Sequence, residues 1–199
     1  QLGTPVSALM GWVDWLKKYP DKTEEIIPEM EADLQRLEQI GRRFSKMGSK
    51  SDFEELDLSE RVEKIVNYLT KRLPSIGKKV KLVNDIQPGI YIRANGSLLA
   101  WSIENIIRNG IDAIEREDGM ISISLKRDVD GIKISIEDNG KGIPKKDWKN
   151  IFRPGFSTKQ TGWGLGLSLS SRIVEEIHGG SLKVISSSFD TGTIIEISL

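Results

Sequence analysis

Asn105, Asn109 and Asp112 recur at i, i+4 and i+7, a spacing that on a helix gathers two amides and a carboxylate on one stripe. Asparagine is a poor helix former and needs hydrogen-bond partners when partly buried. Ligation of a hard cation through an amide carbonyl, with waters and phosphates completing the shell, would suit Mg²⁺; a solvated helix face suits the same residues. Asp138 opens the string DNGKGIP directly after an alternating apolar run. Gly140 and Gly142 remove side chains where a planar ligand could approach the backbone, and a carboxylate there can accept from an exocyclic amine such as that of adenine. An Asp-Gly turn by itself is common at strand exits. Gly162, Gly164 and Gly166 in GWGLGLSL lead into a further helical pattern, and glycines at a helix start expose backbone donors to an anion. Between these strings Phe152, Arg153, Phe156, Ser157, Thr158 and Lys159 read as a lid with an aromatic anchor and cationic ends. Lys159 could reach a terminal phosphate or simply face water, and Arg108 and Lys141 have the same two readings.

The elements that must position these residues follow from hydrophobic period. Leu99, Ile103, Ile106, Gly110 and Ala113 form the apolar stripe beside the asparagines, within a helix predicted over Ser97 to Glu117. Helices are also predicted at Ser59 to Arg72, Lys145 to Ile151 and Leu165 to His178. Ile121, Ile123 and Leu125, then Ile132, Ile134 and Ile136, then Ile195, Ile197 and Leu199 alternate as strands with one buried face. Strands interleaved with helices predict one sheet covered on a single face. His178, the only histidine, stands before Gly179 and Gly180 and reads as a helix C-terminal cap.

Upstream, Leu2, Val6, Leu9, Val13 and Leu16 repeat at spacings of four and three, stop at Tyr19 and Pro20, and resume as Ile27, Met30, Leu34, Leu37 and Phe44. Residues 1–50 therefore read as a helical hairpin, with Pro28 near the start of its second helix or kinking it. Two such seams cannot bury themselves, which predicts a homodimeric four-helix bundle. Trp12 and Trp15 suit bundle packing or a docking surface. Gly48 to Asp52 read as a linker, and residues 51–199 as a second domain.

Lysine plus arginine equals aspartate plus glutamate, 29 each, so no global field attracts nucleic acid or anionic lipid. Absence of cysteine excludes disulfides and thiolate metal sites and suits a reducing, cytoplasmic setting. The apolar runs fall well short of the roughly 20 residues of a membrane span. This piece is expected to contact neither nucleic acid nor membrane, and a membrane anchor in its parent protein stays open.

Taken in order, ENIIRNGIDA, DNGKGIP, IFRPGFSTK, GWGLGLSL and the final Gly192 and Thr193 resemble the N, G1, F, G2 and terminal G-T boxes of sensor histidine kinases, within the superfamily that includes gyrase, chaperone and mismatch-repair ATPases. The resemblance covers nearly all of residues 51–199 and implies an α+β fold: the hairpin followed by an α/β sandwich of Bergerat type. It implies ATP and Mg²⁺ as ligands, Asp138 as the adenine-binding acid and Asn109 as the metal ligand. Thr193 would lie near the purine, Gly164, Leu165, Gly166 and Leu167 along the phosphates, and Phe152 at the lid anchor. Asn105, Arg108, Asp112, Gly140, Lys141, Gly142, Ile143, Lys159 and Gly162 complete the nucleotide set. QLGTPVSAL is similar to the helix following the family's phosphoacceptor, so the reactive histidine would be the residue preceding Gln1 and is absent here. Gln1 replaces the usual acid and cannot act as a base. Thr4 is similar to the residue that positions water for dephosphorylating a response-regulator receiver domain. The implied activity is γ-phosphoryl transfer to histidine and relay to a receiver aspartate. A slow ATPase of the same superfamily, or a nucleotide-gated receiver-binding or phosphatase module, is the alternative; Asn105 stands where the ATPases carry a water-activating glutamate.

Overall fold

The computed structural model describes residues 3–32, 34, 53–76, 79–159, 164–189 and 191–199. The chain divides into two compact units, one of residues 1–50 with 157–163 and one of residues 51–156 with 164–199. In the first, helix α1 spans Gly3–Lys18 and ends where Tyr19 and Pro20 open a 3₁₀ turn over Pro20–Lys22. A second helix, α2, then runs over 23–32, and Pro28 sits inside it without ending it. Within this hairpin Trp12 meets Trp15 edge-on at 6.5 Å and Trp15 meets Tyr19 at 5.3 Å, while Ile26 is fully buried. The apolar seam beyond residue 34 lies outside the described residues.

The second unit is a layer of helices on one mixed sheet. Strand β1 (Glu54–Asp57) delivers Asp57 as the N-cap of α3 (Leu58–Arg72), its carboxylate accepting the Glu60 N–H at 3.0 Å. Leu58, Val62, Ile65, Val66 and Leu69 form the buried stripe of α3. After β2 (Val80–Ile86) and β3 (Tyr91–Ala94), Asn95 caps α4 (Gly96–Ala113) by accepting the Leu98 N–H at 3.1 Å. The remaining strands are β4 (Gly119–Asp128), β5 (Gly131–Asp138), β6 (Ser181–Ser188) and β7 (Gly192–Ser198). The main sheet runs β2-β4-β5-β7-β6, with β2 and β4 parallel and the other pairs antiparallel; β1 and β3 form a small separate ribbon.

Alternation sorts this sheet into a dry face and a wet one. Ile121, Ile123, Leu125, Ile134, Ile136, Ile195 and Ile197 join α3 and α4 in one hydrophobic core. Their neighbours in sequence, among them Ser122, Ser124, Ser135 and Glu196, are half-buried on the other side. This is the predicted α/β sandwich, and the three alternating runs are β4, β5 and β7. Strands β1, β2, β3 and β6 are additions that the apolar pattern did not announce. In β2 only Val80, Leu82 and Ile86 contact the core, and its exposed residues include Val83, Asn84 and Asp85.

Three predicted helices need correction. The helix expected to reach Glu117 stops at Ala113, because the Lys141 N–H takes the Ala113 carbonyl at 3.0 Å and Ile114 turns extended to bury itself. The segment Lys145 to Ile151 is two 3₁₀ turns, Lys145–Asp147 and Asn150–Phe152, following the extended Pro144 and tethered where the Trp148 Nε1–H reaches the Ile143 carbonyl at 3.0 Å. The helix from Leu165 to His178 is a short α5 (Gly166–Arg172) continued by a π turn over Ile173–Ile177, closed by the His178 N–H on the Ile173 carbonyl.

Candidate functional site

The site grows from the last residue of β5. The burial alternation through Ile132, Ile134 and Ile136 places Asp138 on the same face, at the point where the strand gives way to glycines. Asp138 is only 7% exposed. The Gly140 N–H donates to Oδ1 at 2.9 Å, and no lysine or arginine among the described residues pairs with it. Burial pushes this carboxyl up to about 6, with the charge of Glu137 adding to the rise and the backbone N–H groups of Gly140 and Thr193 opposing it. A buried carboxylate without a cation is costly, and a hydrogen-bond donor brought by a ligand would relieve that cost.

Small residues let the surrounding elements close on Asp138. On α4, a Cβ at Gly110 would stand 3.2 Å from the Asp138 Cβ and 3.1 Å from Ile121 Cδ1. Gly142 has a φ of +70°, and a Cβ there would collide with the Ser188 carbonyl. The β6–β7 hairpin therefore lies directly against the 140–143 loop. Ser187 Oγ accepts the Ile143 N–H at 2.7 Å and shares a hydrogen bond with Thr193 Oγ1 at 2.9 Å. Thr193 is the strand partner of Asp138 and is itself 3% exposed.

On α4, Asn105 and Asn109 are half-buried, while Arg108 and Asp112 are exposed. Asn105 Nδ2 donates to Ser170 Oγ on α5 at 3.0 Å, and a Cβ at Gly166 would press to 2.6 Å from Asn105 Oδ1. Asn105 thus latches α4 to α5. Arg108 lies along the helix in an ion pair with Glu104 at 2.8 Å, and Lys141 pairs with Glu115 at 3.2 Å. Phe152 and Leu167 pack on the edge of the hydrophobic core, and Gly155 N–H reaches the Gly164 carbonyl at 3.1 Å, holding the two ends of the intervening segment together. Lys159 belongs to that segment; its N–H donates to Ser157 Oγ at 3.1 Å. Gln1 and Gly162 lie outside the described residues, and Thr4 is on α1.

The structure therefore brings Asp138, Gly140, Gly142, Ile143 and Thr193 together, and separately joins Asn105 to the Ser170 hydroxyl of α5, close beside Gly166. Sequence reasoning missed Ser187, Gly110 and Ser170. Gly110 had been counted only as part of an apolar stripe. Among the described residues no three His, Asp or Glu side chains converge as a metal cage.

His178 has a structural place. Its Nδ1 faces the Ile173 carbonyl at 2.8 Å and its Nε2 accepts the N–H of Asn95, the α4 cap, at 3.1 Å. Both contacts are satisfied by the neutral ring, and burial holds its pKa below the ordinary histidine value.

Residues 95–199 match the family described as histidine kinase-, DNA gyrase B- and HSP90-like ATPase. Sporulation kinase B of Bacillus subtilis (strain 168) is 29% identical over 170 residues, which cover 84% of this chain and 39% of that kinase. The chain spans less than half the length of the first curated relatives it matches. Among solved structures, the Acinetobacter baumannii histidine kinase AdeS superposes with a TM-score of 0.71 at 20% identity, over 100% of this chain and 95% of that one. The histidine kinase ThkA in complex with response regulator protein TrrA superposes at 0.66 and 20% identity, covering 99% of this chain and 58% of that chain. These likenesses share the fold described above. No described helix is long and apolar enough to cross a membrane.

Proposed function

Because the chain belongs to the histidine kinase-, DNA gyrase B- and HSP90-like ATPase family, we propose that residues 51–199 bind ATP with Mg²⁺ as the catalytic part of a sensor histidine kinase. The observation that carries this reading is the buried carboxylate of Asp138, which has backbone donors but no cationic side chain among the described residues. The exocyclic amine of adenine supplies the missing donor, and Thr193 addresses the neighbouring ring edge. Asn109 offers its amide oxygen to Mg²⁺, and the backbone from Gly164 to Leu167 faces the phosphates. Held there, Mg²⁺ would supply neutralisation of the phosphate charge.

The γ-phosphoryl passes to a histidine nitrogen: the N–P bond forms as the bond from phosphorus to the β,γ-bridging oxygen breaks, and ADP leaves. The protein's contribution is position and electrostatics. The hairpin of residues 1–50 is the proposed dimerisation and phosphotransfer element, carrying its acceptor immediately before Gln1. A response-regulator receiver is the proposed partner, as TrrA is for ThkA. Hydrolysis to phosphate should be slow. Asn105 cannot act as a base and is bonded to Ser170, and Glu104 is paired with Arg108.

The test extends the chain by a histidine ahead of Gln1 and supplies ATP labelled at the γ position. Acid-labile, base-stable phosphate is expected on the added residue. A folded, ADP-binding dimer that acquires none would contradict the transfer step.

A further inference from the structure

Ser187 lies in the site through an irregularity in β6. Simple alternation from Leu182 and Val184 would put Ser186 on the helix-covered face and Ser187 on the other. The register shifts between Val184 and Ser186, so Ile185 is passed over and Ser187 becomes the partner of Thr193. A bulge of this kind re-aims a side chain. Asp138 pairs with Thr193 on the other side, and the result is one row across three strands, Asp138–Thr193–Ser187, at their ends beside the nucleotide loop.

The hydroxyl protons in this row have a preferred direction. Ser187 Oγ already accepts the Ile143 N–H at 2.7 Å, and an oxygen that accepts one hydrogen bond becomes a better donor of the next. Its proton is then directed at Thr193 Oγ1, 2.9 Å away, which leaves the Thr193 proton to point outward. We propose that Ser187 is a positioning residue for base specificity: relaying the Ile143 N–H, it fixes Thr193 as a hydrogen-bond donor beside the acceptor Asp138. This rests on the adenine-binding reading of Asp138. An acceptor next to a donor matches adenine, whose edge carries an amine beside an unprotonated ring nitrogen. Hypoxanthine has the same shape with the opposite pattern, a carbonyl beside a ring N–H, and would meet the carboxylate with an oxygen and Thr193 with a second donor.

Calorimetric titration of the full chain with ADP and with IDP, each with Mg²⁺, tests this. The wild type should prefer ADP. Ser187→Ala should lower that preference roughly five- to tenfold, almost wholly through weaker ADP binding. Thr193→Val should lower it similarly, and the double variant should lose little more than either single one. Ser187→Thr keeps a hydroxyl and should keep the preference, so the proposal stays testable if the alanine variant folds poorly. An unchanged ADP-to-IDP ratio in Ser187→Ala, an equal loss for both nucleotides, or a collapsed ratio in Ser187→Thr would overturn it. A folded wild type that binds neither nucleotide would instead remove the adenine reading, and this proposal with it.

Discussion

Two neighbouring rows of the same sheet, on the same face, differ in almost every physical respect. Ile136 and Ile195 are strand partners and nearly inaccessible, and they belong to the continuous core. Two residues further along each strand the row becomes Asp138 and Thr193, equally buried but polar, with Ser187 completing it. The inner row stabilises the fold by excluding water, and its geometry need only fill space. In the outer row a charge is held where burial disfavours it, which costs stability that a ligand can return. The proposed binding function thus falls at the ends of three strands, where glycines and a bulge let backbone and ligand approach.

If this division is right, damage to the two rows should separate cleanly. The largest effect is expected from Ile134→Ala in the dry region, since Ile134 is 0% exposed. Denaturant unfolding should show a loss of about 2–5 kcal/mol, with ADP affinity of the folded protein little changed. Asp138→Asn should act in the opposite sense. The carboxyl rises from 3.8 to about 6 on folding, so its contribution is fully present below the unfolded value and lost as pH climbs through the folded one. At pH 7 the ionised group opposes folding, and the amide should raise apo stability by up to about 3 kcal/mol. The unfolding midpoint in denaturant checks the sign.

The same carboxyl sharpens the comparison through pH. Adenine needs it as an acceptor, so ADP affinity should fall as pH drops through about 6 and be level above pH 7. Affinity measured at several pH values in one buffer series decides this. The smallest effect belongs to His178. Its folded pKa lies below 6.5, so the stability it lends is full above that unfolded value and declines as pH falls toward the folded one. Acidification thus weakens the His178 tie to Asn95 while it relieves Asp138. Unfolding the Asp138→Asn protein at pH 7.5 and 5.5 isolates the histidine, and adding His178→Gln should flatten the remaining slope.

Legibility in the sequence followed the same boundary. The dry rows announced themselves because alternation of isoleucines is a pattern of period two, and β4, β5 and β7 were found from it. Asp138 and Asn109 were conspicuous as candidates, each a charged or amide residue beside a periodic apolar stripe. Ser187 was not, since the bulge breaks the alternation that assigns a face, and three successive serines hide which one turns inward. Strand β2 stayed hidden because its sequence mixes apolar residues with exposed Asn84 and Asp85. The helix over-predictions share one cause: local helical pattern at 115–117 and 145–151 was overridden by tertiary demands, the burial of Ile114 and the tether from Trp148 to Ile143.

The most direct measurement is a calorimetric titration of ADP with Mg²⁺ into the full chain and into Asp138→Asn at pH 7.5, with the unfolding midpoint of each protein determined alongside. The expected result is clear binding by the wild type and roughly 100-fold weaker binding by a variant that is at least as stable. No binding by a folded wild type, or an affinity unaltered in Asp138→Asn, would contradict the nucleotide site at the end of β5.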